Sequence, residues 1–500
     1  MSLWMIAWRS IQQRGLASSL TAFSMALGVM LVVAVLSIHG VVQSSFQNNA
    51  NLGYNVIVGA KGGKLQLTLN SVYYLSQPIE NISYDFYMEF LKKTARDAEL
   101  TYALNPPTDR RDGKFAPHVD VAIPLCLGDY FGRFRVVGTT PDMFDKLKFG
   151  PDGDRSYVFA QGRNMQRHSA ENGFFEAVVG STVAAEMGVK LGDRIATTHG
   201  DPEGEGHGRK FAVVGILAPS GTPNDRATFV NMEGFYLMKG HAKPLDEHRE
   251  GDDVLGLDSS DTAAPPAANV PDLHAAILAK NEHATTFEEQ LAIPALPMEQ
   301  REVTAILVRT SNILVVPRLQ NTINEGQQAQ VVLPILEIFT LFDVFVKPVQ
   351  LVLLVLTAMI CVVSGVSILV SIYNSMAGRR HEIAVMRALG ASRSAVLSII
   401  LIESIMLSVG GGAVGWLMGH VLNWGASPII ERRTGVSVGF FDFAPNINLY
   451  ELLGGAGDVQ WMSISSEILL VPSLLLLAVV VGFLPALAAY RTDVAGSLGK

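Results

Sequence analysis

Residues 376–419 read MAGRRHEIAVMRALGASRSAVLSIILIESIMLSVGGGAVGWLMG. The stretch opens basic and amphipathic. Ile383, Met386 and Leu389 recur at three-residue steps and so share one face of a helix, with Arg379, Arg380, Glu382 and Arg387 largely off it. Gly390 suits a left-handed C-terminal cap, and Ser392 or Ser394 suits the N-cap of the next helix. The residues after Ser394 stay apolar for long enough to cross a bilayer. The order predicts a surface helix, a sharp corner and a membrane span. By residue pattern alone, the basic helix either rests on anionic lipid or docks a cytoplasmic partner.

Three more apolar runs flank this one. Residues 16–42 sit in a stretch with no Asp, Glu, Lys or Arg between Arg14 and Lys61. At about 1.5 Å per residue they cover the roughly 30 Å of hydrocarbon, which is too long for the core of a cleaved signal peptide. Residues 348–373 carry no charge, 396–421 carry only Glu403, and 468–489 carry none. Charged residues make up only 17% of the 500, and the deficit is concentrated in these runs. The net charge of −8 argues against a nucleic-acid partner. Two cysteines, Cys126 and Cys361, do not suggest a disulfide, because the second lies inside an apolar run.

The loop after the second run holds Arg379, Arg380, Arg387 and Arg393 against Glu382. The loop after the third holds Arg432 and Arg433 against four acids. The positive-inside rule puts the first loop and both termini in the cytoplasm, and the region between the first and second spans outside. The expected plan is a cytoplasmic amphipathic helix at 1–15, whose Trp4 and Trp8 suit the lipid interface, and a first span at 16–42. An extracytoplasmic domain with a stalk occupies 43–346. Then come a second span at 347–375, a coupling helix at 376–394, a third span at 395–421, an outer loop at 422–466, a fourth span at 467–490 and a cytoplasmic tail at 491–500.

The 300-residue outer region alternates strand and helix patterns. Residues 134–144 read as a strand, a turn and a helix start, 176–198 as a strand, a Gly-Ser turn, a short helix and a strand, 210–235 as a strand, a Gly/Pro/Asn loop and a strand, and 305–310 as a strand. The expected fold class is a membrane protein with four transmembrane α-helices and a large extracytoplasmic α+β domain inserted between the first and second helices. Residues 241–272 are acidic, rich in Ala and Pro and nearly free of large apolar side chains, which predicts a flexible insertion.

Residues 379–419 resemble the signature of the FtsX/MacB/LolCE family of ABC transporter permeases, also called type VII. That family carries an R-x-E-I-x-x-x-R-A-x-G-A segment succeeded by a Gly-rich span containing a glutamate. Residues 134–144, 176–198 and 210–235 resemble three segments of the MacB-type periplasmic core domain. The C-terminal FLPALAAYRTDVAGSLGK is similar to the family's ending, with Val494 where a proline is usual. The resemblance implies an inner-membrane, multi-pass permease that transmits ATP-driven motion to its periplasmic domain and exports or extracts a lipoprotein, peptide or hydrophobic molecule. It implies that Arg379, Arg380, Glu382, Ile383, Met386, Arg387 and Gly390 form the contact to the ATPase.

The chain has no G-x-x-x-x-G-K-[ST] phosphate loop, so the ATPase is expected on a separate partner chain, and this chain is not expected to be an enzyme. A second permease copy or a paralogue is the other expected partner. A periplasmic adaptor or cargo protein and membrane lipids complete the set, and no cofactor is implied. A non-transporting signalling platform and a permease linked to divalent metal handling are the alternatives. Within the third span, Glu403 suggests a structural or coupling role. Gly411, Gly415 and Gly419 permit close helix packing, either at a dimer face or inside the subunit. The loop THGDPEGEGHG at 198–208 reads as solvated, with a metal role for His199 and His207 as the weaker candidate.

Overall fold

The protein is described from a computed structural model covering residues 2–48, 52–78, 80–102, 110–150, 152–200, 206–238, 240–241, 295–434, 438–444, 446–448 and 463–490. The expected insertion at 241–272 lies, apart from His241, outside the described residues, as does the tail at 491–500. The chain divides into two compact units, Met1–Phe46 with Phe342–Lys500, and Gln47–Leu341.

The first unit is helical. A short helix, Leu3–Gln13, starts at Ser2, whose hydroxyl accepts from the Met5 amide. Ala7 and Ser10 are buried on one side, and Trp4 and Trp8 are exposed on the other. Among the described residues, four helices are long and apolar enough to cross a membrane. They are Gly15–Asn48, Lys347–Ala388, Arg393–Thr434 and Leu470–Tyr490, the first to fourth spans. Met25, Val29, Val33, Ile368, Ile372, Ile400 and Val481 form the seam where the spans meet. Side chains on the outer faces, such as Leu356, Val363 and Leu476, are exposed, as lipid-facing residues should be.

The structure corrects one expectation. Residues 376–388 do not form a separate surface helix. They are the last turns of the second span, which runs unbroken for 42 residues. The reason is local: no proline lies between 374 and 388, and Met, Ala, Arg and Glu are good helix formers. At about 1.5 Å per residue this helix is about 63 Å long, twice what a bilayer needs.

The second unit is built on a mixed sheet. Among the described residues it has ten strands: β1 (Val56–Gly59), β2 (Val119–Phe131), β3 (Phe134–Thr139), β4 (Phe159–Gly162), β5 (Glu176–Val179), β6 (Arg194–His199), β7 (Gly206–Leu217), β8 (Ala227–Asn231), β9 (Ala305–Thr310) and β10 (Gln330–Val332). Their order is β10-β1-β9-β2-β3-β8-β5-β7-β4, and β6 pairs with both β7 and β2. β3 and β8 run parallel, as do β5 and β7. The other pairs in the order are antiparallel. Strands occur within each of the stretches 134–144, 176–198, 210–235 and 305–310, as their patterns predict.

Both faces of the middle of the sheet are covered, and β1, β3, β5 and β8 are buried at every residue. Alternate residues point to opposite cores. Val56, Val58, Ile306 and Val308 enter one core with Tyr84, Phe90, Phe211 and Leu319. Ile57, Ala305 and Leu307 enter the other with Leu67, Phe144, Phe229 and Tyr74. One buried ion pair stitches the first core. Arg301 donates to Glu233 Oε1 at 2.7 Å and to the Leu296 carbonyl at 2.6 and 2.8 Å, and lies over the Tyr84 ring.

Candidate functional site

The corner at the end of the second span is fixed by backbone chemistry. Gly390 has φ +100°, a left-handed conformation that side chains resist. Its amide donates to the Arg387 carbonyl at 3.1 Å, and the Ala391 amide donates to the Met386 carbonyl at 3.0 Å. These two bonds are a Schellman cap. The third span, starting at Arg393, is capped by Ser392, whose hydroxyl accepts from the Ala395 amide at 3.1 Å. Two long helices are thus joined through a corner of four residues.

Ile383 is buried and packs with Ile372, Val396 and Ile400, and Met386 and Arg387 are half-buried. Leu389 does not share their environment: it is 84% exposed because the helix ends beneath it. Arg379, Arg380 and Glu382 lie on the same helix, and their side chains are outside the described residues.

Glu403 is buried in the third span. Its Oε2 accepts from the Ser10 hydroxyl at 2.9 Å, and its Oε1 pairs with Arg14 Nη2 at 3.4 Å. The carboxylate therefore latches the N-terminal helix to the third span. In hydrocarbon, a charge is tolerable only with such partners. Ser10 and Arg14 are not legible as its partners in the sequence, because nothing local links them to a residue almost four hundred positions away.

The glycine stripe meets the first span within this same chain. A Cβ at Gly411 would lie 2.7 Å from the Ala22 carbonyl oxygen, and one at Gly415 2.4 Å from that of Ala26. At Gly419 it would lie 2.9 Å from the Val33 side chain. The fourth span is held by the same device, since a Cβ at Gly482 would lie 2.8 Å from Ser404, whose hydroxyl donates to the Ala478 carbonyl.

The family comparisons agree with this architecture. The model of the MacB-like periplasmic core domain matches residues 18–279, and that of the FtsX-like permease C-terminal domain matches 354–494. The chain belongs to the FtsX/MacB-type ABC transporter permeases. No curated protein matches it significantly. Such permeases are membrane components rather than enzymes, and the sheet-rich unit of this permease comes after its first span as that family's periplasmic domain does.

Among the described residues of the helical unit, this permease has a second buried carboxylate, one that the sequence patterns did not single out. Glu467 precedes the fourth span and accepts from Trp416 Nε1 at 2.9 Å, from the Ala444 amide at 2.7 Å and from the Ser37 hydroxyl at 3.2 Å. His420 Nε2 lies 3.1 Å away and is itself buried. One side chain thus joins the first, third and fourth spans. Beside it opens a cavity of about 440 Å³, lined by Val29, Gly412, Trp416, Phe443 and Leu474. A signal for it does exist: a histidine in the third span and an acid at the edge of the fourth are both costly there without partners.

His199 ends β6, where it sits opposite Asp129 of β2. His207 lies at the start of β7, with its side chain outside the described residues. The structure brings His199 together with His241, a histidine that adds only slightly to the metal reading in the sequence, and with Asp129, which no sequence pattern singles out. Near the start of the sheet-rich unit, Lys61 donates to the Asn324 carbonyl at 3.0 Å.

Proposed function

We propose that this chain is the permease subunit of an ABC transporter in the bacterial inner membrane, with both termini cytoplasmic and the sheet-rich unit periplasmic. It pairs with a second permease copy or paralogue and with separate ATPase chains. The ATPase closes on the corner at 376–392, with Arg379, Arg380, Glu382 and Arg387 supplying charge contacts and Leu389 an apolar knob. The motion drives the periplasmic unit, which exports or extracts a lipoprotein, peptide or hydrophobic molecule, with a periplasmic adaptor as a further partner.

The observation that carries this reading is the Gly390 corner. A Schellman cap and a serine N-cap join two 42-residue helices without a flexible linker. A push on the corner is therefore delivered along both helices instead of being absorbed in a loop. Glu403 adds the N-terminal helix to the moving body through Ser10 and Arg14. The apolar cavity beside Glu467 favours an apolar cargo segment.

The test is co-purification in detergent with the ATPase encoded beside this chain, with ATP hydrolysis as the second readout. Wild type should retain the ATPase. The double variant Glu382→Ala/Arg387→Ala and the single variant Leu389→Asp should lose it at least tenfold while keeping the same gel-filtration profile. A wild-type chain that recruits no ATPase, or variants that recruit it fully, would overturn the proposal.

A further inference from the structure

We infer that the sheet-rich unit binds a divalent transition-metal cation of the zinc class through Asp129, His199 and His241. The register of the sheet makes the first half of the site. Asp129 on β2 and His199 on β6 are directly paired across the ladder. His241 is delivered by the turn after the helix Met232–Tyr236, its amide donating to the Met238 carbonyl. The three residues come from separate segments, 70 and 42 positions apart.

The donor atoms form a nearly equilateral triangle. Asp129 Oδ1 lies 3.2 Å from His199 Nδ1 and 3.2 Å from His241 Nε2, and the two nitrogens are 3.4 Å apart. Zinc holds nitrogen and oxygen ligands at about 2.0–2.1 Å in a tetrahedron, which sets neighbouring ligand atoms about 3.3 Å apart. The triangle is thus already the size of one tetrahedral face. A cation at the centre would take one lone pair from each ring and one from the carboxylate.

The surroundings support a built site. The Asp129 carboxylate is fully buried, and its Oδ2 accepts from Thr197 Oγ1 at 2.8 Å, which fixes its orientation. The Phe235 ring packs against His241 at 4.3 Å between centroids. His199 is 56% exposed and leaves a path from solvent. Two nitrogens and one carboxylate select zinc, copper, nickel or cobalt over magnesium and calcium, which want oxygen. Three protein ligands leave a fourth position for water or for a donor brought by cargo or adaptor. Bound metal would cross-link β2, β6 and the turn after 236. The inference stands apart from the ATPase contact, because every residue in it belongs to the sheet-rich unit.

The test uses the full-length, untagged chain in detergent, stripped with chelator and titrated with Zn²⁺, with Co²⁺ as an optical reporter and Mg²⁺ as a control. Wild type should bind one equivalent of Zn²⁺, show the intense visible bands of tetrahedral Co²⁺, gain melting temperature with Zn²⁺ and ignore Mg²⁺. His199→Gln and His241→Gln should each weaken Zn²⁺ binding at least tenfold and abolish the melting shift, while His118→Gln should leave both unchanged. His199→Gln alters an exposed side chain, so its melting point without metal should match wild type. Folded wild type that binds no Zn²⁺, or binding that survives both His199→Gln and His241→Gln, would overturn the inference.

Discussion

Phe229 and Gly415 are tight packing contacts, one in each unit of this permease, and they solve opposite problems. Phe229 lies fully buried under the sheet, edge-to-face with Phe144 at 4.9 Å and with Tyr74 at 6.2 Å. Gly415 lies where any Cβ would press on the Ala26 carbonyl at 2.4 Å. In the sheet-rich unit, water drives large side chains together, so bulk at the contact stabilises. Among the spans, lipid competes with every apolar side chain on equal terms. Association there relies on close backbone approach and a few polar ties, so bulk at the contact destabilises. The buried carboxylates obey the same division. Glu403 and Glu467 each join separate helices, whereas Glu233 is one partner in a core already closed by aromatic rings.

The strongest way to break the comparison is to remove bulk from the sheet. Phe229→Ala should cost the sheet-rich unit about 3–5 kcal/mol of unfolding free energy, read by tyrosine fluorescence. A cost below about 1 kcal/mol would mean that the core does not depend on ring packing. The reciprocal change adds bulk among the spans. Gly415→Ala should cost about 1–3 kcal/mol and lower the yield of monodisperse protein. Gly425→Ala, where a Cβ meets nothing within 4 Å on the same helix, should be neutral or gain up to about 1 kcal/mol. If both glycine variants behave alike, the contact with the first span is not what holds the third.

Alkaline pH should sharpen the difference at smaller scale. Burial pushes the Cys126 thiol up from 9.0 to about 12, and burial raises Tyr54, Tyr74, Tyr84, Tyr87 and Tyr236 in the same direction. These groups fold in their protonated form. For Cys126 the contribution is complete below about pH 9, where the unfolded thiol is also protonated, and it is lost as pH rises towards 12. At pH 10, Cys126 alone should cost the sheet-rich unit about 1 kcal/mol. Near-ultraviolet circular dichroism at pH 8 and pH 10 checks this, and a melting point that does not fall between them would contradict it. Alkylation of native Cys126 should stay slow at pH 8, because the thiolate is the reactive form.

Features that depend on neighbours within one or two turns are legible in the sequence. Apolar length determined the four spans, because the bilayer accepts only segments whose backbone satisfies itself. The Ala-Leu-Gly-Ala-Ser run at 388–392 determined the corner, because a left-handed cap and a serine N-cap are local chemistry. Apolar β-branched residues at 305–310 determined a strand. The extent of the second span past residue 375 is less legible: a run of charges suggests a new element, although the backbone has no reason to break there. The tertiary structure alone decided which surfaces meet. Gly411, Gly415 and Gly419 announced a close contact but not that its partner is the first span. Glu403 announced a need for partners but not Ser10 and Arg14. His199 announced a ligand, yet Asp129 and His241 join it only because β2 and β6 pair in one register and a helix of five residues turns His241 back onto them. Spacing along a chain encodes which face a side chain takes, while the partner waiting there is set by how whole elements pack.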